Sequence, residues 1–363
     1  LILLMLLGLN SQAAAEGKIK NGKFGEYYDY GSGYEMPEQP ERKPDKVTLQ
    51  TYLQRYVDEK FRFLGFRVAP SSQPYQFKYN LREEKVIKEQ LQNTALLSYL
   101  LYENGKIAVD ELTPDDRFGS QVNYNTALPS RSIGKSLTSY LLAHAICRGY
   151  IESVDTKLDD WNWVKGTVYE GQTLIDLVNM RAGDQEFAYT NKIFFPDKSE
   201  RNIRSQPLAS TYKRLKNTKP SKRFYNYNDL TVNTVVNYIR FKTGYKYQEF
   251  TTNFLQNKVG IADPFYIKAV DTMRADIDGV EGFGATISNF SASRYDFLRI
   301  ARAMLEDWQN DTCEGKYLKK IFERQMPKDR PDKRFQRDIK NANWPNHSFR
   351  NYGGYFHIGL AKA

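Results

Sequence analysis

Apolar residues recur at helical spacing from Ser132 to about Leu255, and again from Arg294 to Trp308. In the first run Leu137, Tyr140, Leu141, Ala145 and Ile146 fall on successive turns, which predicts a buried helix. A different signal precedes it. Thr94–Tyr102 is an apolar run, Asn104-Gly105 interrupts it, and Lys106–Val109 follows. Asn-Gly between two such runs predicts a hairpin, because both turn positions need φ > 0. Val47–Phe66 has helical character. Gly17 to about Asp45 is rich in Gly, Tyr, Pro and charge, without periodicity, and reads as an arm. After Asn310 the chain is polar and yields no clear element; there is no internal repeat.

The first residues, Leu1–Leu9, are apolar and lead to Ser11-Gln12-Ala13-Ala14-Ala15. This is the apolar region and small-residue site of a secretory signal peptide, cleaved after Ala15. It is too short to span a bilayer, so no stable membrane anchor is expected. The reading divides the chain into a signal-peptide remnant (1–15), an arm (16–45) and one large domain (46–363), in the periplasm or secreted.

Composition narrows the function classes. With 363 residues and 40% hydrophobic content the chain can bury a sizeable core. The net charge of +10 is spread along the chain, with no nucleic-acid motif, so nucleic acid is not an expected partner. The charge reads as a solvated surface, with attraction to anionic envelope polymers as a weaker functional reading. Three His and two Cys leave little material for a metal site, and no cofactor is expected. Cys147 lies in the apolar helix and Cys313 in a polar stretch; they are read as free thiols. His144, on the same helix, reads as a core histidine. No Gly-x-Ser-x-Gly elbow is present, which disfavours a Ser-His-Asp hydrolase.

The chemistry is concentrated at the head of the buried helix, Ser132-Ile133-Gly134-Lys135. Residues one turn apart share a helix face, so Ser132 Oγ and Lys135 Nζ can meet. A serine needs a base beside it to become a nucleophile, and an uncharged lysine can be that base. The helix N-terminus adds N–H donors for an oxyanion. The bland alternative is a helix-terminal serine and a solvated lysine. A second Ser-x-x-Lys, Ser210-Thr211-Tyr212-Lys213, is followed by Arg214, Lys216 and Asn217 rather than an apolar helix, and is read as chance.

Ser132–Trp161, with Arg148-Gly149-Tyr150-Ile151-Glu152-Ser153-Val154-Asp155 after the helix, resembles the serine β-lactamase and penicillin-binding-protein superfamily. Thr173–Gly183 (TLIDLVNMRAG) and Gly282–Leu305 resemble further segments of it, and the likeness runs from about Thr94 to Leu305. It is closest to the branch holding class C β-lactamases, esterases and 6-aminohexanoate-dimer hydrolases. The resemblance implies an α+β fold, an antiparallel sheet flanked by helices with a helical lobe at about 150–265, and Asn104-Gly105 in the first hairpin of the central sheet. It also implies a Tyr-x-Asn loop facing the nucleophile. Arg223–Asp229 offers Tyr225 and Tyr227. The family's Thr-Gly stands about seventeen residues after the tyrosine; here it is Thr243-Gly244, which selects Tyr227. Asp229 then occupies the asparagine position, as a substrate-binding group. A carboxylate only accepts hydrogen bonds, and beside Lys135 it would keep that lysine charged.

The family's third motif is Lys-Thr-Gly or His-x-Gly on a pocket strand. Lys242-Thr243-Gly244 matches in letters, but Val232, Val235, Val236 and Ile239 before it have helical spacing, and Gly244 reads as the glycine after a helix end. His357-Ile358-Gly359 is the better-placed candidate. The expectation is a chain cut within the last part of the sheet. The implied function is a secreted serine hydrolase acting on a small ester, amide or peptide-like substrate. Ser132 attacks, Lys135 takes its proton directly or through Tyr227, and Tyr227 serves the leaving group. The Ser132 N–H is one oxyanion donor. The alternatives are a β-lactamase or D-Ala-D-Ala peptidase of the same fold, or a non-catalytic secreted binding protein with a degenerate site.

Overall fold

The structure, a computed structural model, describes residues 65–94, 96–115, 122–188, 212–213, 215–244, 246–268, 289–328 and 351–358, and the backbone of four further strands. Two of those strands, β1 (Lys18–Gly22) and β2 (Gly25–Asp29), pair as an antiparallel hairpin within the expected arm. The signal-peptide segment lies outside the described residues, as does Val47–Leu64. Phe66, expected to end a helix, belongs instead to strand β3 (Gly65–Val68).

β4 (Lys78–Tyr79) and helix α1 (Lys85–Asn93) lead to the hairpin of β5 (Ser98–Glu103) and β6 (Lys106–Leu112). Asn104 and Gly105 have φ of 50° and 76°, the two left-handed positions that the turn requires. β4 adds to the other edge of β6 in parallel. Among the described residues this makes a separate sheet, β4-β6-β5, so the hairpin is not part of the main sheet as the resemblance implied. Arg294 clamps it from outside, bonding Tyr99 O at 3.1 Å and the Asp110 carboxylate.

β7 (Leu128–Pro129) precedes α2 (Ile133–Cys147). This helix is buried on every side: Leu137, Tyr140, Leu141, Leu142, Ala143 and Ala145 are at most 4% exposed. A helix apolar all round belongs in a core, and its polar side chains find partners there. Thr138 donates to Gly134 O at 3.1 Å, and Ser139 shares a hydrogen with Tyr317 OH at 2.9 Å. His144 is a core histidine as expected, 2% exposed, with Nδ1 2.9 Å from Glu314 Oε1. Burial pushes the Glu314 carboxyl up, but its hydrogen bond to His144, with Lys258 nearby, holds it below its usual value.

Helical spacing after α2 overstates the helix content. Residues 148–173 are turns, with Gly149, Gly166 and Gly171 at positive φ, although Trp161, Val164 and Tyr169 still enter the core. Helix α3 (Leu174–Val178) starts from a capping box between Thr173 and Asp176. After α4 (Gln185–Ala188), α5 (Leu230–Lys242) ends at Gly244 with φ 63°. Lys242 is therefore at a helix C-terminus, where its Nζ pairs with Asp160 at 2.8 Å, and its Lys-Thr-Gly is no pocket strand. Helix α6 (Tyr247–Asn253) runs into a π-helical turn, Phe254–Val259.

The main sheet is antiparallel, in the order β3, β8 (Phe265–Lys268), β11 (Asn289–Ala292), β7. Between β8 and β11, β9 (Arg274–Ile277) and β10 (Val280–Phe283) form a hairpin. Then come α7 (Arg294–Gln309) and α8 (Cys313–Glu323). α8 went unread because Lys316, Lys319 and Lys320 crowd a helix whose inner face is Tyr317, Leu318 and Ile321. Its first residue, Cys313, is bonded to Cys147, the last residue of α2, with Cα atoms 5.7 Å apart. This corrects the reading of both as free thiols. The sequence does not show that α8 packs beside α2, 166 residues away along the chain. Finally β12 (Met326–Pro327), β13 (Asn351–Gly353) and β14 (Phe356–Ile358) form a three-stranded sheet.

Candidate active site

The strand-to-helix turn sets the position of Ser132. β7 pairs with β11, and Ser130 extends that register: its N–H donates to Phe290 O at 2.7 Å and its Oγ accepts from Phe290 N at 3.0 Å. Arg131 then reverses the chain at φ 49°, a left-handed conformation uncommon outside glycine. Ser132 begins the next turn. It is exposed, its side chain makes no capping bond, and its N–H has no acceptor among the described residues. A solvent-facing hydroxyl and an open N–H thus sit together at a helix start. That is the layout a nucleophile and one oxyanion donor require.

Lys135 lies one turn on and is 5% exposed. Its Nζ is 2.7 Å from Asp229 Oδ1 and 4.9 Å from the centre of the Tyr227 ring. No hydrogen bond joins it to Ser132 Oγ among the described residues. The expected Ser–Lys contact is replaced by a charge-assisted pair with a cation–π contact beside it. Of the two candidate tyrosines, the one that spacing selects is the one beside the lysine. Tyr227 is half-buried at the lysine, whereas Tyr225 is 4% exposed and packs on Tyr352, ring centres 5.1 Å apart. The second Ser-x-x-Lys cannot be compared, since Ser210 lies outside the described residues.

The loop carrying Tyr227 and Asp229 is anchored by its even-numbered residues. Asn226 and Asn228 are buried and direct their amides to Asp184 Oδ1, at 3.5 and 3.3 Å. Tyr169 OH donates to the other oxygen at 2.6 Å. Complete burial raises the Asp184 carboxyl above its usual range, and these donors oppose the rise. Asn226 N–H also bonds Met180 O at 2.8 Å, and Asn228 Oδ1 accepts from Thr231 N at 3.0 Å, capping α5. The odd-numbered Tyr227 and Asp229 instead turn to Lys135, Asp229 from the N-terminus of α5.

The sequence offered His357 for a pocket strand but did not show the hairpin β13–β14 that carries it as a wall of this site. His357, on β14, stacks on Tyr227 with ring centres 6.0 Å apart and meets Tyr352 edge-on at 5.0 Å. The residue as a whole is exposed, but its ring lies between these aromatics. Burial of the ring, with the cations Lys328 and Lys135 nearby, pushes the imidazole down to about 4. The hairpin is docked at its turn. Ser136 Oγ donates to Tyr355 O at 2.9 Å, Tyr355 N–H to Val178 O at 2.8 Å, and Gly354 N–H to Asn179 Oδ1 at 2.9 Å. The Gly353-Gly354 pair between aromatic residues is the signal that could have revealed it. Gly359, the end of the His-x-Gly candidate, lies outside the described residues.

No family model matches the chain, and no curated protein matches it. Solved structures do. A Bacillus anthracis protein assigned as a 6-aminohexanoate-dimer hydrolase matches with TM-score 0.52 and 16% identity, over 73% of each chain. A class C β-lactamase from Rhodobacter sphaeroides matches at TM-score 0.41 and 15% identity, over 61% of this chain and 64% of its own. FmtA from Staphylococcus aureus matches at 0.43 and 16%, over 73% and 74%. The chain has an α+β, β-lactamase-like fold, shared with the 6-aminohexanoate-dimer hydrolase structure. At these identities the likeness is one of fold.

Proposed function

We propose that this protein is a serine hydrolase that cleaves an ester or amide bond through an acyl-enzyme on Ser132. The convergence of two segments carries the reading: the start of α2, with Ser132 exposed and Lys135 buried one turn behind it, and the Tyr227 loop closing on that lysine. Ser132 Oγ adds to the carbonyl carbon and its proton passes to Lys135, directly or through Tyr227. The Ser132 N–H holds the oxyanion. Tyr227 hands a proton to the leaving group, and water then releases the acyl group. Secretion to the periplasm or beyond belongs to the same proposal, resting on the apolar leader at Leu1–Ala15.

The Lys135–Asp229 pair favours a second reading, a fold kept for binding. An ammonium held by a carboxylate at 2.7 Å has no lone pair with which to take the serine proton. One experiment separates the two. The full chain is treated with a fluorophosphonate and the labelled peptide mapped, in the wild type, Ser132→Ala and Asp229→Asn. A hydrolase labels at Ser132 and loses the label in Ser132→Ala. Asp229→Asn, which frees the lysine while keeping the shape, should label at least about tenfold faster, the equivalent of about 1.4 kcal/mol. Labelling that survives Ser132→Ala sinks the mechanism; no labelling in any of the three supports a binding protein.

A further inference from the structure

A cavity of about 510 Å3 opens between the β4-β6-β5 sheet and the start of α7, and it shares no residue with the Ser132 site. Three tyrosines line it. Tyr79 and Tyr124 are 52% and 51% exposed, so ring surface is open to solvent at the cavity. Tyr124 lies over Tyr295, ring centres 6.3 Å apart and planes 23° from parallel.

The platform is built rigidly. The buried Arg294 guanidinium sits 5.5 Å from the Tyr124 ring centre and 5.3 Å from that of Tyr295. The same guanidinium and Tyr295 OH both hold the Asp110 carboxylate, which faces the cavity. Arg299, one turn after Tyr295 on α7, uses Nε on Tyr75 O and Nη1 on Asp296, each at 2.9 Å. Its Nη2 has no protein partner among the described residues. Asn125 and Asp263 complete the polar rim.

Charge decides the ligand class. Asp110 is balanced by Arg294, and Asp296 by Arg299. That leaves Asp263 as the one lining carboxylate without an ion-pair partner among the described residues. A quaternary ammonium is held by aromatic faces closing around it, whereas Tyr124 and Tyr295 are stacked on each other, and an anion would need a surplus of arginine. A cavity close to neutral, with flat rings exposed and both acceptors and donors at the edge, suits a neutral molecule having apolar C–H faces and many hydroxyls. We infer that this cavity is a binding site for a neutral oligosaccharide, stacked on Tyr79 and Tyr124 and hydrogen-bonded by Asp263, Asn125 and Arg299. Asn125 is seven residues from Ser132, so the two sites lie no more than about 25 Å apart. A glycan of several units would reach from one toward the other.

The test is calorimetry and saturation-transfer NMR on the full chain, with chitotetraose and cellotetraose as neutral probes, choline as the cation and citrate as the anion. At least one oligosaccharide should bind at millimolar concentration or better. Tyr124→Ala and Tyr79→Ala, at exposed positions, should each weaken it at least about tenfold with an unchanged melting curve. Ser132→Ala should bind as the wild type does, so this outcome is independent of catalysis. The inference is overturned if neither oligosaccharide binds, if binding is indifferent to both tyrosines, or if choline or citrate binds in their place.

Discussion

At the residue scale, four letters and the apolar run behind them nominate Ser132 and Lys135. The direction of the lysine could not. Sequence spacing puts the two on one helix face, but an amine on a four-carbon stem turns to the strongest charge in reach, and Asp229 supplies it 2.7 Å away. That carboxylate was visible as a departure from Tyr-x-Asn; the ion pair it makes is the physical content of the departure. His357 gives a pH expectation. Its folded-state value of about 4 lies below the ordinary 6.5, so as pH falls from 6.5 towards 4 the unfolded chain takes up the proton first. The stability linked to this histidine is fully present above that window and drains as pH drops through it. In 1H–15N spectra the imidazole should titrate near 4. Lys328→Gln, which removes one of the two repelling cations, should move the titration upward. A midpoint near 6.5 in the wild type would mean the ring is not held between Tyr227 and Tyr352.

At the element scale, local chemistry was legible wherever one turn or cap decided the outcome. Asn104-Gly105 made its hairpin, and Gly244 ended a helix, disqualifying the Lys242 motif. Partnership between elements was not legible. Nothing near Lys78-Tyr79 announces a parallel neighbour 28 residues later in the chain, at Lys106-Ile107. Likewise, Gly354 and Tyr355 carry no sign of the helices they dock on. The β13–β14 turn shows how tight such a dock is. Gly354 has φ 58°, and a methyl group there would come within 2.2 Å of Ile321 Cδ1. Gly354→Ala should therefore cost about 2–4 kcal/mol in urea unfolding, from left-handed strain and overpacking together. It should also loosen the wall beside Tyr227. An unchanged midpoint would show that the hairpin does not rest on α8.

At the scale of the whole molecule, the core around α2 followed from composition and from one long apolar helix. The covalent closure around it did not, since two cysteines carry no pairing information. Joining Cys147 to Cys313 restricts the unfolded chain over 166 residues. Closing so long a loop is worth up to about 5 kcal/mol, and native disulfides commonly deliver 2–4. Cys147→Ser with Cys313→Ser, or reduction, should lower stability by that amount in denaturant melts; equal midpoints would mean the bridge adds nothing. The position of the bridge has another consequence. Tyr227 and Asp229 lie on the closed ring between the two cysteines, while Ser132, Lys135 and His357 lie on the tails outside it. A single backbone cut anywhere from 148 to 312 would open the ring without releasing either piece. The nicked protein would run as one species until a reductant was added, with both halves of the candidate site still tied together at the far end of the helix that follows Ser132.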